Sequence, residues 1–319
     1  MSEPVSLDLQ TLRSRARWAG WVRPLGIASI VANIGIVVTG GAVRLTGSGL
    51  GCPTWPRCTE DSFTPHGELD LHSAIEFGNR LLTFVLVAVA VATFVAAWAT
   101  ARRDLRRLAL VMALGIPAQA IIGGITVLTD LNPWVVAFHL LCSMAIIGVA
   151  VLFVRRVDHP DPVLATGPAV TLAWGTFAAG WLTLYVGTMV TGSGPHAGDV
   201  DAPRNGLDPL QLSQLHADAV FLLVGLTLGL LAVAWNLPGD ARRAAGVLLG
   251  VLLAQGLVGF VQYATDLPEV LVGIHMLGAG LVSAAMTWAL LAVREAAGTT
   301  TPGLTPPRPA QDQDVPSVV

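Results

Sequence analysis

The sequence contains no lysine, so its 18 basic residues are all arginine. Charged residues of both signs reach only 12% of 319 positions, about half the fraction usual in globular chains. A soluble globular protein is excluded. The net charge of −3 leaves no electrostatic footprint for nucleic acid. Three cysteines are too few for a disulfide-dense secreted scaffold. What the chain has instead is apolar length: 53% hydrophobic residues, mean hydropathy +0.66, 34 glycines and nine tryptophans. That composition belongs to a polytopic membrane protein.

A helix crossing a bilayer core needs about 20 mostly apolar residues. Eight segments qualify: 25–45, 74–99, 108–128, 134–154, 167–190, 214–236, 244–263 and 270–293. Barrel strands would be shorter and would alternate apolar with polar, which these do not. Arginines cluster before the first span, between spans two and three, and after spans four, six and eight. The opposite loops carry mainly Asp and Glu. The positive-inside rule therefore predicts cytoplasmic termini and external acidic loops, in a bacterial-type plasma membrane. Residues 1–24 are too polar for an ordinary cleaved signal and read as a cytoplasmic segment. From Gly298 the tail has five prolines and no apolar periodicity, so 294–319 reads as a disordered cytoplasmic tail.

The chain contains itself twice. Ala118-Gln119-Ala120-Ile121-Ile122-Gly123 is echoed by Ala254-Gln255-Gly256-Leu257-Val258-Gly259, Thr129-Asp130-Leu131 by Thr265-Asp266-Leu267, and His139 by His275, every pair 136 apart. Thr46-Gly47-Ser48-Gly49 likewise matches Thr191-Gly192-Ser193-Gly194. The TGSG segments lack the strand-turn-helix context of a phosphate cradle and read as tight turns leaving a helix. The fold expected is an all-α membrane protein of eight transmembrane helices in two pseudo-symmetric four-helix bundles. The first spans 25–154, with an external cysteine loop at 46–72; a linker occupies 155–166; the second bundle spans 167–293. With four helices each, both copies cross in the same direction.

Ionisable groups within the membrane are costly and mark function. His139 follows Pro133 by six residues, about 9 Å from the external surface at 1.5 Å per residue. His275 and His216 lie at similar depth. Imidazoles from two facing helices make an axial pair for haem iron, and His216 with His275 completes one such site. In the first half two registers stay open. One makes Asn79 the first-half counterpart of His216. The other, two turns along the helix, places His72 there. His72, Glu76 and Asn79 are spaced i, i+4, i+7 and share one helix stripe. Glu76 has no acidic copy in the second half, and an unpaired carboxylate in a bundle is expensive as a structural device. Arg44 and Arg80 either clamp carboxylates such as haem propionates or snorkel to the interface. Cys52 and Cys58 lie together in the external loop, where a disulfide, structural or redox-active, is allowed. Cys142 reads as a packing residue.

The segment Thr46-Gly47-Ser48-Gly49-Leu50-Gly51-Cys52 with Trp55-Pro56 and Cys58, the stripe Ile75-Glu76-Phe77-Gly78-Asn79-Arg80, and His139, His216 and His275 in their repeat resemble the haem A synthase family. The resemblance covers residues 25–293. It implies haem b as cofactor, bound in the second half through His216 and His275, and haem O as substrate in the first half with His139 on one side. It further implies oxidation of the C8 methyl of haem O to a formyl group through a hydroxylated haem, with water as oxygen source and Glu76 as the catalytic carboxylate. Haem O synthase and cytochrome oxidase assembly factors are the partners it implies, besides membrane lipid. Family members often carry histidine directly before the arginine of the second-span motif, where this chain has Asn79. The competing readings are a dihaem cytochrome b-type protein passing electrons between quinone and an external thiol pair, and a transporter. The first leaves Glu76 and the asymmetry between halves unexplained, and transporters place polar sites near the midplane.

Overall fold

A computed structural model of the chain describes residues 17–65, 71–163, 165–199 and 201–300, without the side chain of Thr300. Among the described residues eight helices are long and apolar enough to cross a membrane. They are α1 (Val22–Leu45), α2 (Leu71–Ala99), α3 (Arg103–Leu128), α4 (Pro133–Asp158), α5 (Pro168–Ser193), α6 (Pro209–Ala234), α7 (Ala241–Ala264) and α8 (Glu269–Thr300). Each expected span falls on one helix. The helices overrun the apolar runs because hydropathy marks where lipid begins, whereas a helix stops where its end groups find other partners. Pro133, Pro168 and Pro209 open α4, α5 and α6, a position where the missing N–H costs nothing. Asn132 and Asp208 cap two of these helices through their side chains. At the other extreme α8 runs through Arg294 and Gly298 to Thr300, so 294–300 is helix rather than disordered tail. The rest of that tail, and residues 1–16 of the N-terminal segment, lie outside the described residues.

The helices close into two rings. The first packs α1 on α2, α2 on α3, α3 on α4 and α4 back on α1; the second repeats the order with α5 to α8. Between the rings α4 meets α8, α1 meets α8 and α4 meets α5. Exchanging the halves leaves this set of pairs unchanged, which is consistent with the sequence repeat. The ends of α3 and α7 repeat at the level of single atoms. Leu131 N–H donates to Thr126 O at 2.8 Å and Leu267 N–H to Gln262 O at 2.7 Å, while Thr129 and Thr265 hydroxyls each donate four residues back at 2.7 Å. Asp130, Leu131, Asp266 and Leu267 all take positive φ, a left-handed turn that closes both helices.

Small polar residues let α4 and α8 approach at the junction. Ser283 donates to Met144 O at 2.8 Å, and a Cβ on Gly148 would stand 3.1 Å from the Thr287 hydroxyl. Such close-packing positions hold helices together where lipid offers no hydrophobic drive. Helix α8 is the central element: its apolar window is 67% buried, against 22–39% for the other helices. Two arginines then staple the rings at opposite ends. At the end carrying the cysteine loop, Arg44 of α1 donates to His196 O at 2.5 Å and Thr191 O at 2.8 Å. At the other end, Arg155 of α4 grips Asp240 with two bonds, 2.7 and 2.9 Å, and Glu295 at 2.8 Å.

Candidate functional site

In the second ring His216 of α6 and His275 of α8 face each other, with ring centroids 6.4 Å apart and planes at 73°. Glycines clear the space around both. A Cβ on Gly187 would stand 3.0 Å from His216 Cε1, and one on Gly259 3.5 Å from His275 Cε1. The Nδ1 atoms of His216, His275 and His139 are all buried without a hydrogen-bond partner; the His216 ring approaches the Thr183 backbone without meeting that geometry. Orphaned polar atoms in a low-dielectric bundle are costly, so the surrounding protein does not account for these imidazoles through hydrogen bonds to Nδ1.

An iron between two imidazole nitrogens at about 2.0 Å each holds the ring centres about 6 Å apart, so the pair fits axial ligation. Among the described residues no three of His, Cys, Asp or Glu gather as an ion site. Two imidazoles alone suit a metal that brings four ligands of its own, as porphyrin iron does.

The first ring repeats the scaffold. His139 of α4 lies against Gly123 of α3, whose Cβ would stand 3.3 Å from its Cε1, as His275 lies against Gly259. Gln119 donates to His139 O at 3.2 Å and Gln255 to His275 O at 2.8 Å; Gln119 also bonds Ser143. These glutamines and glycines tie the histidine helices to their neighbours. The sequence reading assigned them no role, although they sit inside the repeated block and that shared retention was the available signal.

Which residue of α2 matches His216 in the repeat depends on register, and burial separates the two offsets. With an offset of 137, Leu86, Ala90, Thr93 and Ala97 of α2 fall on Leu223, Thr227, Leu230 and Ala234 of α6, and all eight are buried. With an offset of 144, only Leu86 and Ala90 fall on buried partners. Asn79 is therefore the counterpart of His216, and its Oδ1 accepts from Thr39 at 2.8 Å. His72 lies in the first turn of α2, exposed, with Nδ1 3.0 Å from the Ser48 hydroxyl.

Glu76 is buried, 5% exposed, but it is not unpaired as its sequence context suggested. Its Oε2 accepts from Cys52 N–H at 2.7 Å and its Oε1 from Arg80 at 2.6 and 3.2 Å. Spacing of i, i+4 on one helix makes the pair. Arg80 in turn spends all five of its N–H donors: besides Glu76, it reaches Cys52 O at 2.9 Å and the Thr54 and Arg57 carbonyls at 3.1 Å each. Neither propionate clamping nor snorkelling describes that use. Arg44 likewise directs donors at the second-half loop, which leaves His196 both accepting from Arg44 and facing Leu267 O at 3.0 Å.

Cys52 and Cys58 form a disulfide, 0% and 1% exposed. The loop around it lies along α2. Ser73 donates to Gly51 O at 2.8 Å, Glu76 takes Cys52, and Arg80 takes residues 52, 54 and 57. Gly51 runs so close to the His72 backbone that a Cβ there would stand 2.6 Å from it. Cys142 is a free, partly buried thiol.

The chain is similar to known proteins. A family model described as cytochrome oxidase assembly protein matches residues 23–198, just over half of the chain. Among curated proteins, the chain is 29% identical to a heme A synthase of Geobacillus thermodenitrificans over 44% of its own length and 45% of that protein's. It is 25% identical to one of Staphylococcus epidermidis over 59% and 68%, and 26% identical to one of Listeria monocytogenes over 76% and 83%. The matched part thus spans a little under half of the first of these relatives and more than two thirds of the other two. An eight-helix membrane chain with this match to the family model belongs to the COX15-CtaA family of cytochrome oxidase assembly proteins, the haem A synthase family.

Proposed function

We propose that this chain converts haem O to haem A by oxidising the C8 methyl of the porphyrin to a formyl group, through a hydroxylated haem, with the first ring as substrate site and the second holding haem b. The observation that supports the reading is one scaffold carrying different side chains at matching positions: His216 faces His275 in one ring, and Asn79 stands in the register of His216 in the ring of His139. Two imidazoles hold iron permanently. One imidazole opposite an amide, a poor iron ligand, suits a porphyrin that must arrive and leave.

The overall change is R–CH3 + H2O → R–CHO + 4 H⁺ + 4 e⁻. When bound between His216 and His275, haem b supplies one-electron acceptance. The chain's own residues do the rest. His139 fixes the substrate iron, with its helix tied to α3 through Gln119. Asn79, held by Thr39, would offer a bound porphyrin an amide, a poor iron ligand, at the position where the second ring has His216. Loss of electrons from the ring leaves positive character on the methyl carbon, which a carboxylate in a low-dielectric site stabilises. Glu76 has about four lone-pair directions and spends three on Cys52 and Arg80, which leaves one to orient the attacking water. The Cys52–Cys58 bond, hydrogen-bonded to Glu76 through Cys52 N–H, takes two electrons and two protons as it opens to a dithiol, so the four-electron change needs two such openings, with an external oxidant of the respiratory chain re-forming the disulfide after each. The cysteine-loop end faces outward and both termini face the cytoplasm of a bacterial-type plasma membrane. Haem O synthase and oxidase assembly factors are the neighbours such a substrate and product require.

Production of the chain in a host that makes haem O but no haem A, followed by chromatography of extracted haems, tests this. Wild type accumulates haem A, and Glu76→Ala accumulates haem O while keeping its haem b. Unchanged haem O with wild type would refute the reading, and haem b alone in both rings would point to the electron carrier.

A further inference from the structure

The cysteine loop sends one large apolar side chain away from α2. A Cβ on Gly124 of α3 would stand 2.4–2.7 Å from three atoms of the Trp55 indole, so the ring lies flat on a position only glycine leaves free. Gly124 is one residue along from Gly123, whose face is turned to the His139 ring. The indole and the imidazole are thus about 100° apart around one helix turn.

The place is unusual for a loop residue. Gly124 is itself buried, whereas Ile121, Ile125 and Leu128 of α3, within four residues of it, are 53%, 42% and 60% exposed. Trp55 therefore reaches from the loop held on α2 across to α3, where it covers Gly124 and remains 36% exposed beside this apolar stripe. Its mount is rigid, because Thr54 and Arg57, on either side of it, are the residues whose carbonyls Arg80 holds. The second ring has no such device. The counterpart of Gly124, 136 residues on, is Phe260, which is 71% exposed and whose bulk leaves no seat. The corresponding loop, 194–208, carries no cysteine and no aromatic residue.

We propose that Trp55 governs admission to the first ring: seated on Gly124 it closes the α2–α3 flank beside His139, and swung off it opens that flank to an apolar ligand arriving from the lipid. With the reading of the first ring as the haem O site, on which the ligand's identity rests, the ligand is a porphyrin bearing a long hydrocarbon tail. A site that turns over needs such a door, and a site that keeps its cofactor does not. The door is present only on the ring with a single imidazole.

The gate can be read without any porphyrin. Diethyl pyrocarbonate acylates an accessible imidazole nitrogen, and peptide mass spectrometry separates His139 from His275 in the purified, haem-free full chain. Trp55→Ala should raise the His139 modification rate at least fivefold and leave His275 unchanged, which also reports an intact fold. Gly124→Ala, which evicts the indole from the other side of the contact, should act in the same direction, and Trp55→Phe should stay within twofold of wild type. A His139 rate unchanged in Trp55→Ala overturns the proposal. So does an equal rise at His275, since Trp55 would then hold the whole fold rather than one flank. If the rates behave as expected but the loaded chain never converts haem O, the gate stands and the substrate assignment falls.

Discussion

Replacing Arg80 by alanine removes the one side chain that holds both Glu76 and the cysteine loop. Breaking a buried ion pair from one side costs about 3–5 kcal/mol, because the remaining charge stays buried without its partner. Glu76 keeps the Cys52 N–H bond, and the Arg80 side chain is 22% exposed, so the low end, about 3 kcal/mol, applies. That energy falls on local opening of the loop rather than on global unfolding, since the helices of the first ring pack elsewhere. The disulfide is inaccessible in the closed state, so a reductant reaches it only through that opening. Each 1.4 kcal/mol is tenfold, and Arg80→Ala should speed reduction of Cys52–Cys58 by about a hundredfold. The assay is phosphine reduction of the detergent-solubilised full chain, followed by alkylation and mass measurement. Cys142 gives one label at the start, and the disulfide adds two as it opens. Reduction within threefold of wild type would show that Arg80 does not mount the loop.

Two further outcomes follow from the geometry. Gly187→Ala places a methyl 3.0 Å from the His216 ring, whereas Gly259→Ala places one at 3.5 Å from His275, an ordinary contact. The first should therefore lower haem retention severalfold and the second should leave it near wild type, as measured by absorbance after gel filtration. At the opposite end, burial pushes the Asp240 carboxyl up, but the Arg155 hydrogen bonds and charge outweigh it and hold the group below its ordinary value. A depressed carboxyl stabilises the fold above its unfolded pKa of about 3.9 and loses that contribution as pH falls through the folded value. Thermal stability should drop with acidification below about pH 4 in wild type and more gently in Asp240→Asn, whose stability is lower at neutral pH.

The spans, the duplication and the histidines were legible because each is a property of local sequence: apolar length, a gapless repeat, a polar residue in an apolar run. The α2–α6 register was not. The two candidate offsets differ by seven residues, two helical turns, and so present nearly the same face; only whether Asn79 and Thr83 or Thr93 and Ala97 are buried separates them. The Glu76–Arg80 pair is visible as i, i+4 spacing, yet taken singly the two residues suggest a catalytic carboxylate and either a propionate clamp or a snorkelling side chain. The reach of Arg44 across to Thr191 and His196, the Arg155 staple and the seat of Trp55 on Gly124 join residues 69 to 152 positions apart. No periodicity encodes such contacts.

The central claim is that His216 and His275 grip porphyrin iron in one ring of a duplicated bundle while His139 serves an exchangeable porphyrin in the other. Haem content of the purified chain, by pyridine haemochrome spectrum per mole of protein, addresses it most directly. With haem O supplied, wild type should carry haem b together with haem O or A. His216→Ala and His275→Ala should each lose the haem b, and His139→Ala should lose only the other haem. A colourless wild-type chain, or one whose haem b survives both His216→Ala and His275→Ala, would contradict the account.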